Sequence, residues 1–285
     1  MKARDYRNPQ SQVGGHRRAG GSGTESGDSS WHGLYAVGAA AALTSVLLVL
    51  LDIFAGILLP GTEVEPGARS AIDWFALFRE NPYHGLRELG LLNVLNIVLG
   101  IPLFLALYAA HRRAGGAYAA LALALFLFGG AIYVSGNAAV PVYVLGVEYA
   151  AATTEAQRAI LAAAGEAVLA RGADFTPGSL PGLVLPSLGQ VLMSVAMLRG
   201  GVFGRATAWT GISGFALLLV FTVWTTFVPG ALGTAVLVAL PAGLLLLAWN
   251  VLVARRLFQL AGTFRPAGNP TDDPGTRQGR GKGTR

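Results

Sequence analysis

The chain has 285 residues, of which 53% are hydrophobic and only 13% charged, about half the charged share of a soluble domain, and one water-soluble core does not absorb that excess. It contains no cysteine, which excludes disulfides, thiolate nucleophiles, Cys-ligated zinc and iron–sulfur clusters. The net charge of +6 does not point to nucleic acid, because the basic residues gather beside apolar stretches and at the termini, where anionic lipid head groups attract them. Arginine abundance together with many Ala and Gly residues suggests a GC-rich bacterial genome.

Residues 1–30 are rich in Gly, Ser and Arg and carry too few large apolar groups to offset the entropy of ordering, so they read as a disordered cytoplasmic tail. Arg17–Arg18 is reminiscent of a twin-arginine export signal, but the first apolar run, Leu34 to Leu59, is too long for a signal h-region and reads as a retained span. Residues 31–260 form the membrane domain, with spans at about 34–60, 90–110, 117–137, 180–198, 207–228 and 231–254, each long enough to cross the hydrocarbon. Residues 261–285 read as a second disordered, basic tail. The expected fold class is an all-α six-transmembrane-helix bundle.

Orientation follows from Lys and Arg in the connections, since translocating them is unfavourable. Sixteen of the 21 lie in the termini and in the 111–116 and 199–206 loops, against five (Arg69, Arg79, Arg87, Arg158 and Arg171) in the other connections. Both termini are therefore expected in the cytoplasm. Trp31, Trp209 and Trp249 near the inner ends, with Trp74 and Trp224 near the outer ones, fit the interfacial preference of indoles.

The two long connections fall on the arginine-poor side, and loops of that length usually carry structure or function. In the first, Ser70 with Asp73 reads as a helix start, Ile72, Phe75 and Phe78 share a face, and Asn81–Pro82 ends the pattern. An amphipathic helix on the outer leaflet is expected. In the second, Thr154 and Gln157 form a capping box before an alanine-rich helix with Ile160, Leu161, Ala164 and Val168 on one side and Gly172 as the stop. Pro141 should kink or end the third span, so that residues 138–150 either continue it obliquely or cover the bundle mouth. Pro229–Gly230 leaves the last two spans as antiparallel neighbours.

Asp52 is the one ionisable group deep in a span, about 12 Å below Pro60. A charge there costs a few kcal/mol and must face the bundle, be paired or be protonated. The nearest partners by depth are Asn93 and Asn96 on the next span, one helical turn apart. With Gln190, set among Ser187, Gly189 and Ser194, they make a candidate intramembrane polar cluster. It would be a proton or cation site in a transporter, or a set of interhelical anchors worth about 0.6 kcal/mol each. The anchor reading is the more economical, since no second buried charge completes a relay.

His16, His32 and His111 are expected at one side and His84 at the other, so no metal is implied. A P-loop, an HExxH pair and a GxSxG elbow are absent, so no catalytic residue or cofactor is expected and an enzyme is disfavoured.

The order of elements, with Tyr149–Arg158 (YAAATTEAQR) in the long loop and Met197–Arg205 (MLRGGVFGR) in the inner one, resembles the bacterial six-helix membrane proteins of domain-of-unknown-function family 4386. The resemblance covers about residues 35–258. The family loop often has a proline before its second basic residue, where this chain has Gly204. The family implies no reaction, cofactor or site residue. The reading is a multi-pass protein of a bacterial cytoplasmic membrane, in contact with lipid, that serves as a non-catalytic component or binds a membrane or extracytoplasmic protein partner. The alternative is a small secondary transporter using Asp52 and its polar neighbours.

Overall fold

The computed structural model describes residues 22–58 and 69–262. Ten helices make up the regular structure of these residues: α1 Ser22–Leu58, α2 Ala71–Glu80, α3 Pro82–Glu88, α4 Leu91–His111, α5 Gly116–Gly136, α6 Ala139–Ala151, α7 Glu155–Gly172, α8 Leu180–Gly200, α9 Arg205–Phe227 and α10 Leu232–Gly262. Six segments, from Trp31–Gly56 to Gly233–Gly262, are long and apolar enough to cross a membrane. The protein is a polytopic membrane protein. Helix α1 already begins at Ser22, inside the stretch expected to be unstructured, because extending a helix outward from an apolar span costs far less than starting one. Expectations for residues 1–21, 59–68 and 263–285, including most of both tails, lie outside the described residues.

The spanning helices form a ring in chain order: α1 packs on α4, α4 on α5, α5 on α8, α8 on α9, α9 on α10, and α10 closes back on α1. One end of the ring carries Arg112, Arg113, Arg199, Arg205, Arg255 and Arg256. The half nearest this arginine-rich end is filled by one apolar core from all six helices, including Ala39, Phe104, Phe126, Met197, Phe215, Trp249 and Leu257. Phe104 and Phe126 stack with ring centroids 4.1 Å apart, and Phe215 meets Trp249 edge-on at 5.1 Å. Arg112 lies over Trp31, and Arg199 lies over Tyr118.

The other end is covered by α2, α3, α6 and α7, which pack on one another around a second core of Ala71, Trp74, Phe75, Phe78, Leu89, Val142 and Leu169. Ser70 starts α2: its Oγ accepts the Asp73 N–H at 3.3 Å while Asp73 Oδ2 accepts the Ser70 N–H at 2.9 Å. The buried face of α2 is Ala71, Trp74, Phe75 and Phe78, whereas Ile72, expected on it, is 50% exposed. The i, i+3, i+4, i+7 spacing selects Trp74 over Ile72 once the helix has neighbours on α6 and α7.

Helix α7 starts where Thr154 Oγ1 accepts the Gln157 N–H at 3.2 Å, but Gln157 Oε1 reaches back to the N–H of Thr153, not of Thr154. Its buried residues are Gly165, Leu169 and Gly172, while Ile160 faces outward. Close approach decides this. A Cβ on Gly172 would run into the Gly136 carbonyl, so only glycine allows α7 to reach the end of α5. Helices α5 and α6 are divided at Asn137–Ala138. The break falls four residues before Pro141, whose ring would clash with the Asn137 carbonyl in a continuous helix.

Candidate functional site

The polar centre of the molecule is built where α4, α5 and the α7–α8 connection meet. Residues 173–179 form a tight turn: the Thr176 N–H and Oγ1 both donate to the Ala173 carbonyl, at 3.3 and 2.8 Å, and the Ser179 N–H and Oγ both donate to the Thr176 carbonyl at 3.1 Å. Phe175 adopts a φ of +61°, unusual for a side chain of its size, and its ring sits edge-on to Phe221 at 5.2 Å. The turn sends Asp174 inward, where it is 8% exposed and is the one buried acid among the described residues.

Both carboxylate oxygens are occupied. Tyr133 Oη donates to Oδ1 at 2.7 Å, and Asn93 Nδ2 donates to Oδ2 at 2.8 Å. Asp174 thus joins the connection to two spanning helices, α5 through Tyr133 and α4 through Asn93. Gly90, with φ +82°, starts α4 directly against this carboxyl: a Cβ there would lie 2.6 Å from Asp174 Oδ2 and 2.8 Å from Tyr133 Oη. Beside it, Asn137 closes the α5–α6 break by donating to the Leu89 carbonyl at 3.0 Å and accepting from the Ala139 N–H at 3.0 Å. The Ala138 N–H donates to the Gly172 carbonyl at 3.1 Å.

Burial holds the Asp174 carboxyl above the usual carboxylate range, and the hydrogen bonds from Tyr133 and Asn93 offset only part of that effect. The start of α4 also favours the anion, through its unpaired N–H groups. The arrangement can hold or release one proton at Asp174 and, in either state, ties three elements together.

The sequence-derived cluster is divided in space. Asn93 reaches the buried carboxyl. Asn96 donates to the Leu92 carbonyl of its own helix at 3.2 Å, and Gln190 stays half-buried on α8, where its main-chain carbonyl accepts from Ser194 Oγ at 2.9 Å. Asp52 meets neither asparagine. Its Oδ1 lies 2.7 Å from Arg87 Nε, its carbonyl accepts from Arg87 Nη2 at 2.9 Å, and Arg87 Nη1 bonds Glu88 Oε1 at 2.6 Å.

Asp52 is roughly 9 Å from the last residue of α1, and its side chain is 42% exposed. Sequence reading places Asp174 and Arg87 in loops, where charges are normally solvated, and so misses both. The available signal was Phe175-Thr-Pro-Gly-Ser, a turn sequence tight enough to fold an acid back into the bundle.

Two concavities adjoin these elements. A cavity of about 180 Å³ between α5, the end of α7 and the start of α8 is lined by Tyr133, Ser135, Asn137, Arg171, Gly178 and Ser179, among others. A wider groove of about 420 Å³ between α6 and α7 is lined by Glu148, Ala151, Gln157, Ile160 and Leu161. No family model, curated protein or solved structure matches this chain.

Proposed function

We propose that this protein is a non-catalytic component of a bacterial cytoplasmic membrane that recognises another membrane or extracytoplasmic protein through the cap formed by α2, α3, α6 and α7. The observation that carries the reading is the α6–α7 groove. It is lined by apolar and uncharged polar groups, among them Ile160, which is 69% exposed, and is bordered by Glu148. Exposed apolar area of this kind, held on an ordered scaffold, is characteristic of recognition surfaces. The distribution of arginines supports placing both termini inside and the cap outside. The segments Tyr149–Arg158 and Met197–Arg205 support membership of family 4386.

A photo-crosslinking residue at position 160, compared with one at position 47 on the lipid-facing side of α1, tests the reading in intact cells. A discrete adduct at 160 that Leu161→Asp abolishes is the expected outcome. Equal, diffuse labelling of lipid from both positions would refute it.

A small secondary transporter is the second reading, favoured by one observation: a buried carboxyl that already holds Asn93 and Tyr133. In it Asp174, rather than Asp52, is the ionisable group. Proton-coupled uptake in proteoliposomes that survives Asp174→Asn would remove this reading.

A further inference from the structure

We propose that the cavity between α5, α7 and α8 is a binding site for a phosphate group, with Arg171 as its charged contact. The inference is independent of the partner-binding reading. Its first support is the shape of the site. At about 180 Å³ the cavity is smaller than the roughly 300–1,000 Å³ pockets of drug-sized ligands. It holds roughly six waters' share of liquid volume, enough for the head of a larger molecule or for a small ion.

The second support is charge. Arg158 donates to Glu155 at 2.7 Å, and Arg87 is bound between Asp52 and Glu88. Arg171 lines the cavity with no carboxylate partner among the described residues. The nearby acid, Asp174, is already engaged, with its two oxygens held by Tyr133 and Asn93. The side-chain amide of Asn137 and the hydroxyls of Ser135 and Ser179 are committed to main-chain groups. Arg171, an exposed residue of the lining, therefore supplies the charge not already committed to a carboxylate among the described residues. Its planar fork matches phosphate oxygens in pairs.

The third support is depth. The cavity lies where helix α5 ends at Gly136 and α8 begins at Leu180; the 21 residues of α5 match the thickness of the hydrocarbon, which puts this end near the level of phospholipid phosphates. Ile132 on its wall offers apolar contact of the kind the first methylenes of an acyl chain would use. A lipid head group and free phosphate share the recognised chemistry.

The test uses delipidated full-length protein in detergent, titrated with dioleoyl phosphatidylglycerol or with inorganic phosphate at constant ionic strength. Thermal midpoint and native mass spectrometry are the readouts. Wild type should bind saturably, with one lipid or phosphate retained, and Arg171→Gln should weaken binding about tenfold. Arg158→Gln, whose arginine already has a partner, should not.

Gly136→Leu provides a second variant. A Cβ at Gly136 meets nothing within 4 Å, so the fold should tolerate the side chain while it fills the cavity and excludes the ligand with Arg171 intact. Saturation by the lipid alone assigns the site to a head group, and saturation by phosphate assigns it to the free ion. Binding that is unchanged in both Arg171→Gln and Gly136→Leu, or no saturable binding of either probe, would overturn the proposal.

Discussion

The two ends of the ring are stabilised by different physics. At the arginine-rich end all six spanning helices converge on aromatic and small side chains, and Phe104, Phe126, Met197, Trp249 and Leu257 are fully buried there. At the capped end α1 leaves the core, although α5 and α8 stay in close contact there: a Cβ on Gly182 would lie 2.8 Å from Tyr133 Cα. No residue of α1 from Leu43 to Gly56 is buried, and the mouth is closed by short helices that share a small apolar core of their own and are joined to α4 and α5 by the hydrogen bonds of Asp174, Asn93, Tyr133 and Asn137. Close packing between helices in lipid has no hydrophobic drive of its own and depends on fit. The capped end adds to its smaller core hydrogen bonds that are costly to leave unmade. One end should therefore respond to volume and the other to polarity and pH.

Trp249→Ala should give the largest effect, about 3–5 kcal/mol lost from global stability, because it opens a cavity in the tightest part of the ring. Trp249→Phe should cost much less, since the indole N–H has no hydrogen-bond partner among the described residues. Unfolding in mixed micelles would measure both, and near-equal losses would show that packing volume does not govern this end.

At the capped end, Asp174→Ala leaves the Tyr133 hydroxyl and the Asn93 amide without their acceptor and should cost about 2–3 kcal/mol. Asp174→Asn keeps an acceptor oxygen and should cost about 1 kcal/mol. The same residue should impose a pH dependence that the arginine-rich end lacks. Because burial raises the folded-state pKa of Asp174 above its unfolded value, its contribution is fully present below the ordinary carboxylate range. That contribution is lost as pH rises through the raised value. Subtracting the Asp174→Asn profile from wild type should isolate this fall. A difference that grew more favourable with rising pH would have the wrong sign.

Arg87→Gln tests how the exposed half of α1 is tethered. The pair with Asp52 is partly solvated, the side chains being 19% and 42% exposed, so about 1 kcal/mol or less is expected. Mobility should rise in α1 beyond Leu43, as read by spin labels. The smallest effect belongs to the α2 start. The hydroxyl of Ser70, and then its N–H, hold the Asp73 carboxyl below its ordinary value. The stabilisation from that shift is present above the unfolded pKa and lost as pH falls through the folded one. Ser70→Ala should remove it and fray the start of α2, read as faster amide exchange at Asp73 and Trp74, with a pH sense opposite to that of Asp174.

What could be read from the sequence divides along the same line. Hydropathy located the six spanning helices to within a few residues, except that α1 begins at Ser22, well before Leu34, and α10 continues through Arg255 and Arg256 to Gly262. The helix starts at Ser70 and Thr154 were legible because capping is local chemistry. The candidate site was legible only through Asn93. Its true partners, Asp174 and Tyr133, lie 81 and 41 residues from Asn93 and Asp174 respectively, and matching spans by depth cannot foresee a connection that folds back into the bundle. Asp52 paired with Arg87 for the same reason: α3 returns over the end of α1, bringing a charge that a solvated loop would have kept away.

Hydrogen–deuterium exchange on wild type and Asp174→Ala in lipid nanodiscs tests most directly whether one buried carboxyl holds the cap on the bundle. Exchange should rise in α2, α6, α7 and residues 173–179 and stay unchanged in the arginine-rich halves of α4, α8 and α10. Exchange that rose equally at both ends, or not at all in the cap, would contradict the account.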